Sequence, residues 1–352
     1  MGSPSPAMVD VVVVSFNSTR HLPRLFEALA AQTRQDFQVI LWDNASAPEE
    51  RPSGLPEGML FRQSEDNLGF AAGSNRAAAL GRAPFIAMLN PDAFPEPDWL
   101  EELLAAAGRW PGAAAFGAVQ IRDEDDSRWD GLGDVLHACG APYRAGHGRP
   151  RTGPPPPEGE TFSACAAAML VRRHAFEAAG GFDERLFCFG EDVDLGFRLR
   201  LLGWPSLLAP RAAVRHVGGA STGRRSAFAD RLAVRNRLWV FLKNMPAPLL
   251  ALLLPVHLLA SGLLLASYPL SGRGFAGWRG FAEAWLGLGP VLADRRRVQQ
   301  ARTASTVAIA RALAWSPLAL WRRSPVVRRA DASCQAGPGV LPRVHADFPR
   351  HR

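Results

Sequence analysis

The chain has 352 residues, enough for one large domain or for a domain with an appendage. Its four cysteines, Cys139, Cys165, Cys188 and Cys334, stand far apart with no CxxC spacing. That pattern argues against a zinc site or a disulfide framework and for reduced thiols in a cytosolic protein. The net charge of +7 divides unevenly: residues 1–220 hold 20 arginines against 28 acids, and residues 221–352 hold 20 basic residues against 5 acids. An acidic front and a basic rear predict two functional parts, the rear facing phospholipid or nucleic acid.

Residues 1–8 are a Gly/Ser/Pro leader, expected to be disordered, without the basic and apolar regions of a secretory signal. Residues 9–16 are a continuous β-branched run, the pattern of a parallel strand buried on both faces. The run ends in Ser15-Phe16-Asn17-Ser18, and Leu22, Leu25, Phe26 and Leu29 then form a helical stripe. A second strand, 37–42, ends in Asp43-Asn44-Ala45-Ser46. A third, 59–62, ends near Asn67-Leu68-Gly69-Phe70. Residues 71–80, small and Ala-rich, read as a helix packed tightly on the sheet. A fourth strand, 84–89, ends in Asn90-Pro91-Asp92, and residues 99–107 form another helix. Strands alternating with helices predict an α/β fold with a mostly parallel sheet. Ligands bind such sheets outside the carboxyl ends of the strands, where each of these polar clusters falls.

Asp43 is a candidate acceptor for the N–H of a pyrimidine base, or an Asx turn with Asn44. Gly69 and Gly73 allow either ligand contact or close helix–sheet packing; the stretch lacks GxGxxG and the P-loop lysine. Asp92 is a hard oxygen donor suited to Mg²⁺ or Mn²⁺, though one carboxylate alone is no metal site. Residues 121–160 are polar and rich in Gly and Pro, longer than an ordinary connection, and are expected to help choose an acceptor. Within them, Asp123-Glu124-Asp125-Asp126 reads as a solvated acidic loop. Residues 164–171 read as a strand running behind the acceptor. In Gly190-Glu191-Asp192-Val193-Asp194-Leu195, carboxylates open a helix that continues through Leu199 and Leu202 to Gly203. The apolar run before them offers the desolvation that tunes a general base.

Taken in order, Val14-Ser15-Phe16-Asn17, Asp43-Asn44-Ala45-Ser46, Asn67-Leu68-Gly69-Phe70-Ala71-Ala72-Gly73-Ser74-Asn75 and Leu89-Asn90-Pro91-Asp92 resemble the family 2 inverting glycosyltransferases of GT-A fold. Gly180-Gly181-Phe182-Asp183-Glu184, residues 190–195 and His216-Val217-Gly218-Gly219 continue the resemblance, which covers residues 8–245 and is strongest to the rhamnosyltransferase-like branch. It implies that Ser15, Asn17, Asp43, Asn67, Gly73, Asn75 and Asn90 form the donor pocket. Asp92 and His216 would hold Mg²⁺ or Mn²⁺, with Asn90 standing where many relatives carry the first acid of a DxD motif. Asp192 would be the base, Glu191 would orient the acceptor or the base, and Asp194 would cap the helix. The implied reaction moves a sugar, rhamnose from dTDP-rhamnose within this branch, to a glycan or polyprenyl-linked acceptor for the bacterial cell surface.

The composition changes after Arg235-Asn236-Arg237, so a catalytic domain is expected over 9–236 and a helical, apolar and basic region over 237–329. Residues 249–270 are long and apolar enough to cross a bilayer, or to lie in its interface given Pro255 and His257. Arg273, Arg279 and Arg295-Arg296-Arg297, with Trp278 and Trp285, suit anionic headgroups. This predicts a protein on the cytoplasmic face of the inner membrane, peripheral or with one apolar segment embedded. A buried helical hairpin is the soluble alternative. Residues 330–352 are expected to be a disordered tail. Two rival functions are a sugar-phosphate nucleotidyltransferase, for which residues 15–20 lack the glycine-rich, lysine-bearing loop, and a nucleic-acid binder. The rear arginines alternate with Leu/Ala runs, which fits lipid better than a nucleic-acid backbone.

Overall fold

The computed structural model describes residues 7–218, 226–271, 274–330 and 332–335. Strands β1 (Val9–Ser15), β2 (Phe37–Asp43), β3 (Leu60–Gln63) and β4 (Phe85–Leu89) pair in parallel in the order β3–β2–β1–β4. The short β5 (Ala93–Pro95) follows, then β6 (Ala115–Arg122), β7 (Trp129–Gly131), β8 (Asp134–Leu136), β9 (Pro142–Arg144), β10 (Gly159–Thr161), β11 (Ala168–Arg172) and β12 (Ser206–His216). Beyond β4 the sheet continues β11–β6–β12–β10, with β5 on β12 and β7 on β6. Because β11 runs antiparallel to both β4 and β6, this half is mixed, while the expected parallel sheet is the first half.

β1 is apolar at every position but Asp10, whose carboxylate pairs with Arg173, and the closing Ser15, because both its faces are covered. Val9, Val11 and Val13 pack with α1 (Leu22–Ala30), which follows β1, while Val12 and Val14 face α2 (Gly69–Leu80), which follows β3. The small residues of α2 let it sit close: a Cβ on Gly73 would stand 3.0 Å from Val14 Cγ1. Helices α3 (Trp99–Arg109), α4 (Arg173–Ala178) and α5 (Glu191–Leu201) complete the layers around the sheet. The polar stretch 121–160 is no plain loop. It holds β7, the β8–β9 hairpin and β10, whose short strands and Gly-rich turns left no periodicity to read.

The rear is helical: α6 (Ala227–Asn244), α7 (Ala247–Leu270), α8 (Ala276–Leu286), α9 (Leu288–Ala301), α10 (Thr306–Ala312) and α11 (Pro317–Arg322), with α12 (Ala332–Gln335) after it. The expected boundary at 236/237 falls inside α6, which Ser226 caps through Ala229 N–H. Leu238 and Phe241 of α6 and Leu249 and Leu253 of α7 share one core with Val193, Phe197 and Leu201 of α5. Rear and front are therefore packed as one body. Near the chain's end, Cys334 is fully buried in the core it shares with α3, and its carbonyl accepts from Gly112 N–H. The expected disordered tail is thus ordered at α12; residues 331 and 336–352, like residues 1–6 of the leader, lie outside the described residues.

Candidate active site

The polar strand ends converge. Ser15 and Asp43 lie side by side as partners at the ends of β1 and β2, both fully buried. Ser15 Oγ has no hydrogen-bond partner among the described residues. Asp43 accepts from Ser46 Oγ (2.5 Å), Ser46 N–H (3.2 Å) and Gln63 Nε2 (2.8 Å), so the Asx-turn reading is realised. A carboxylate offers about four lone-pair positions, so one further donor can still be met. Asn17 (φ 49°) and Ala45 (φ 61°) adopt left-handed backbone at this rim, tied together because Asn17 N–H donates to Ser46 Oγ and Asn17 Oδ1 accepts from Ala47 N–H. Non-glycine residues in that region are held there by their surroundings, commonly at ligand sites.

The remaining donor-pocket candidates divide. Asn67 Oδ1 accepts from Gly69 N–H and from the Asn44 amide at the start of α2. The Asn90 side chain has no protein partner among the described residues, while its backbone N–H donates to Ala167 O. Gly73 and Asn75 hold scaffolding positions. Gly73 makes the close approach to Val14, and the Asn75 amide both donates to Phe182 O and accepts from Phe182 N–H.

Pairing of β5 with β12 brings His216 beside Ala93 and so next to Asp92. His216 Nε2 stands 3.4 Å from Asp92 Oδ1, beyond a good hydrogen bond, and has no hydrogen-bond partner among the described residues. Asp92 Oδ2 accepts from Gly218 N–H; Gly219, which closes the motif, lies outside the described residues. The sequence reading missed Asp130. Its Oδ2 lies 2.7 Å from His216 Nδ1 and accepts from Arg144 Nη1 at 2.8 Å. An imidazole that donates its Nδ1–H to a carboxylate presents Nε2 as a lone pair, the usual arrangement behind a metal-ligating histidine. Burial lowers the His216 pKa, but Asp130 and then Asp92 outweigh it, and the net direction is upward. Burial acts against the Asp92 carboxylate, and its contact with His216 more than offsets that, so its pKa is lowered. A carboxylate and a buried imidazole nitrogen with no protein partner are a fitting donor pair for Mn²⁺ or Mg²⁺.

The second half of the site opens α5. Gly190 precedes it with φ 88°, and Phe187 (φ 64°) and Phe189 (φ 69°) also take left-handed backbone. Two elements hold this loop. Phe187 O accepts from Ala71 N–H of α2, and Asn236 of α6 donates from Nδ2 to the carbonyls of Leu186, Cys188 and Phe189. Asp192 is half-buried; its Oδ1 accepts from Val193 N–H (2.8 Å) and its Oδ2 from Ala166 N–H (3.3 Å). Asp134 of β8, Cys165 and Asp192 bring ligand atoms within 4.8 Å of one another. Burial, then the charge of Asp192, push the Asp134 carboxyl well above its ordinary range. Burial and the same neighbour push Glu191 in that direction too. Arg144 closes the gap between the two halves, donating to Asp130 with Nη1 and to Cys165 Sγ with Nη2 (3.1 Å).

Asp194 does not cap the helix. It is fully buried and bound by Lys243 (2.8 Å), Arg198 (2.8 Å) and Asn244 (2.7 Å). Burial works to raise its pKa, but Lys243 and Arg198 carry it below the ordinary value. Lys243, the chain's one lysine, also pairs with Asp183 at 2.6 Å and so locks α6 to the helix that carries Asp192.

A mixed sheet with a parallel first half, a carboxylate–histidine pair at its crevice and a carboxylate opening a helix opposite are the layout of a GT-A glycosyltransferase. Two solved structures share the fold. GalNAc-T7 with UDP, GalNAc and Mn²⁺ superposes with TM-score 0.52 and 16% identity over 66% of this chain, which spans about half (48%) of that protein. The mannosyltransferase PcManGT of Pyrobaculum calidifontis with GDP-Man and Mn²⁺ gives 0.50 and 15% over 88% of both chains. Residues 10–180 match the profile of glycosyl transferase family 2. The chain is 34% identical over 266 residues to the N-acetylglucosaminyl-diphospho-decaprenol L-rhamnosyltransferase of Mycobacterium tuberculosis, covering 67% of this chain and 84% of that one. It is 32% identical over 229 residues to the O-antigen biosynthesis protein RfbC of Myxococcus xanthus, covering 60% of this chain and 17% of that one. The protein belongs to glycosyl transferase family 2, as the sequence motifs had implied.

Proposed function

We propose that the protein is an inverting, metal-assisted rhamnosyltransferase, taking dTDP-rhamnose as donor and a lipid-linked sugar diphosphate as acceptor in cell-surface glycan assembly. The observation that carries the reading is the placement of Asp192 across Arg144 from the Asp92–His216 pair, one base facing one diphosphate-binding corner. Ser15, Asn17, Asp43, Asn67 and Asn90 hold the nucleoside and sugar. The acceptor hydroxyl oxygen attacks the anomeric carbon as its proton passes to an Asp192 carboxylate oxygen. The bond from that carbon to the diphosphate oxygen breaks on the opposite face, and dTDP leaves. One displacement inverts the configuration and needs one base. Asp92 and His216 would hold the Mg²⁺ or Mn²⁺, which offsets the charge gathering on the departing diphosphate. Glu191, buried behind Asp192, orients the base.

Rhamnose and a lipid-linked acceptor rest on the mycobacterial relative, whose name states both its sugar and its diphospho-decaprenol acceptor. The rear helices support a membrane setting. α7 is the one described helix long and apolar enough to cross a bilayer. Yet Leu249, Leu253, His257, Ser261, Leu265 and Tyr268 are buried along its whole length of about 36 Å. A helix docked along one entire stripe, with Leu252, Leu259 and Leu263 about two-thirds exposed on the other faces, lies in the interface plane of the cytoplasmic leaflet. Arg279, Arg296 and Arg297 would meet its anionic headgroups. Arg295 is engaged inside the protein, donating to Leu242 O and Met245 O at the end of α6. Release of dTDP from a panel of dTDP- and UDP-sugars, with a polyprenyl-diphosphate-linked N-acetylglucosamine acceptor, tests the reading. Turnover of UDP-sugars alone would contradict it.

A further inference from the structure

A pocket of about 90 Å³, open to solvent, lies between the start of α5 and the face of α6 that supports α7. Its apolar wall includes Leu136, Pro142, Val193, Val240 and Phe241. Three observations say what fits it. First, in the β8–β9 hairpin Leu136 pairs with Pro142 and Asp134 pairs with Arg144. Residues two apart on a strand share a face about 7 Å apart, so the apolar wall continues directly into the Asp134–Arg144–Asp192 cluster. Second, Arg237 lines the cavity without a carboxylate partner among the described residues. Its Nε and Nη2 donate to Gly140 O and Cys139 O, and Nη1 has no protein partner there. A half-buried guanidinium in an apolar wall is a costly arrangement that an anion would relieve. Third, Phe241 stacks on His257 of α7, with ring centroids 4.2 Å apart, so the far wall abuts the helix whose other faces are exposed and apolar.

Resting on the lipid-linked acceptor proposed above, we infer that this cavity binds the prenyl-diphosphate end of that acceptor. The acceptor sugar passes Leu136, Pro142 and Val193, Arg237 at the hairpin tip meets the diphosphate, and the first isoprene units lie along Val240 and Phe241 before the rest of the chain passes along α7 into the bilayer. The acceptor sugar is thereby left at Asp192. A polar head, an anion and an apolar tail then meet, in order, the acidic cluster with Leu136 and Pro142 beside it, an arginine without a carboxylate partner among the described residues, and the Val240–Phe241 wall next to α7.

The test is calorimetric titration of the full chain with farnesyl diphosphate, with farnesol and inorganic diphosphate as the separate halves. Ala233, on the cavity wall and exposed on α6, can take a large side chain without entering a core. Ala233→Trp should weaken farnesyl diphosphate by about tenfold or more while leaving dTDP affinity unchanged. Arg237→Gln should bring farnesyl diphosphate down to the affinity of farnesol, and saturating dTDP should not displace the ligand. Three results would each overturn the inference: no binding of farnesyl diphosphate by wild type, equal binding by Ala233→Trp, or inorganic diphosphate binding as well as the prenyl compound. The rhamnosyl reading fails separately, by absence of dTDP-rhamnose turnover in a protein that still binds farnesyl diphosphate.

Discussion

Asp130 Oδ2 lies 2.7 Å from His216 Nδ1, and that one bond fixes which nitrogen of the buried imidazole faces Asp92. If His216 holds the metal as proposed, Asp130 is its orienting partner, and its removal acts on affinity and not on chemistry directly. Asp130→Asn should weaken Mn²⁺ binding about 10- to 100-fold, read by titration calorimetry or by loss of the free-Mn²⁺ resonance signal. Unchanged affinity would mean that Asp130 serves the fold alone.

Asp134 gives a pH dependence of stability with a definite sign. Its carboxyl is protonated in the folded protein over a range where the unfolded chain, titrating near 3.9, has already ionised. Folding then takes up a proton, so the stability that neutral Asp134 provides is complete below the unfolded pKa and declines as pH rises toward the raised folded value. Glu191 acts in the same direction. Asp134→Asn removes the Asp134 share. The variant's Tm should fall less than that of wild type between pH 5 and pH 8, measured by scanning calorimetry.

Lys243 holds two carboxylates, the fully buried Asp194 of α5 and the half-buried Asp183 before it. Removing one partner of a buried ionic cluster strands the others. Lys243→Met should therefore cost about 3–5 kcal/mol of unfolding free energy in a denaturant titration. A change below about 1 kcal/mol would show the cluster to be relieved by water.

The exposed faces of α7 should govern membrane attachment without affecting the fold. Leu259→Glu with Leu263→Glu alters side chains that are 66% and 65% exposed. Sedimentation with vesicles containing phosphatidylglycerol should fall sharply for this variant, with Tm unchanged. Raising salt should weaken wild type only in part, because apolar burial accompanies the charge attraction.

The convergence of the candidate donor residues was legible in sequence because each polar cluster sits where an apolar strand run stops, and Asp43, Asp92 and His216 stand at or beside those ends. Asp130, Asp134 and Arg144 were not. They lie on three-residue strands whose geometry comes from tertiary pairing, not from periodicity, so only the glycines around Asp130 and Asp134 marked the stretch as ordered turns. Asp194 was misread for a related reason. A carboxylate in the first turn of a helix looks like a dipole partner until Lys243, on a distant helix, is seen packed against it. The composition change at Arg237 likewise marked a change of surroundings within α6, since that helix passes from the loop clamp at Asn236 to the core it shares with α5.

The central claim is that Asp192 takes the acceptor proton, and the direct measurement is single-turnover transfer from dTDP-rhamnose to a polyprenyl-diphosphate-linked N-acetylglucosamine. Wild type and Asp192→Asn would be compared with donor affinity measured on the same samples. Asp192→Asn should bind dTDP-rhamnose like wild type and transfer it about 10²- to 10⁴-fold more slowly. Transfer within about threefold of wild type, at equal donor affinity, would contradict the assignment and move the base elsewhere in the cluster.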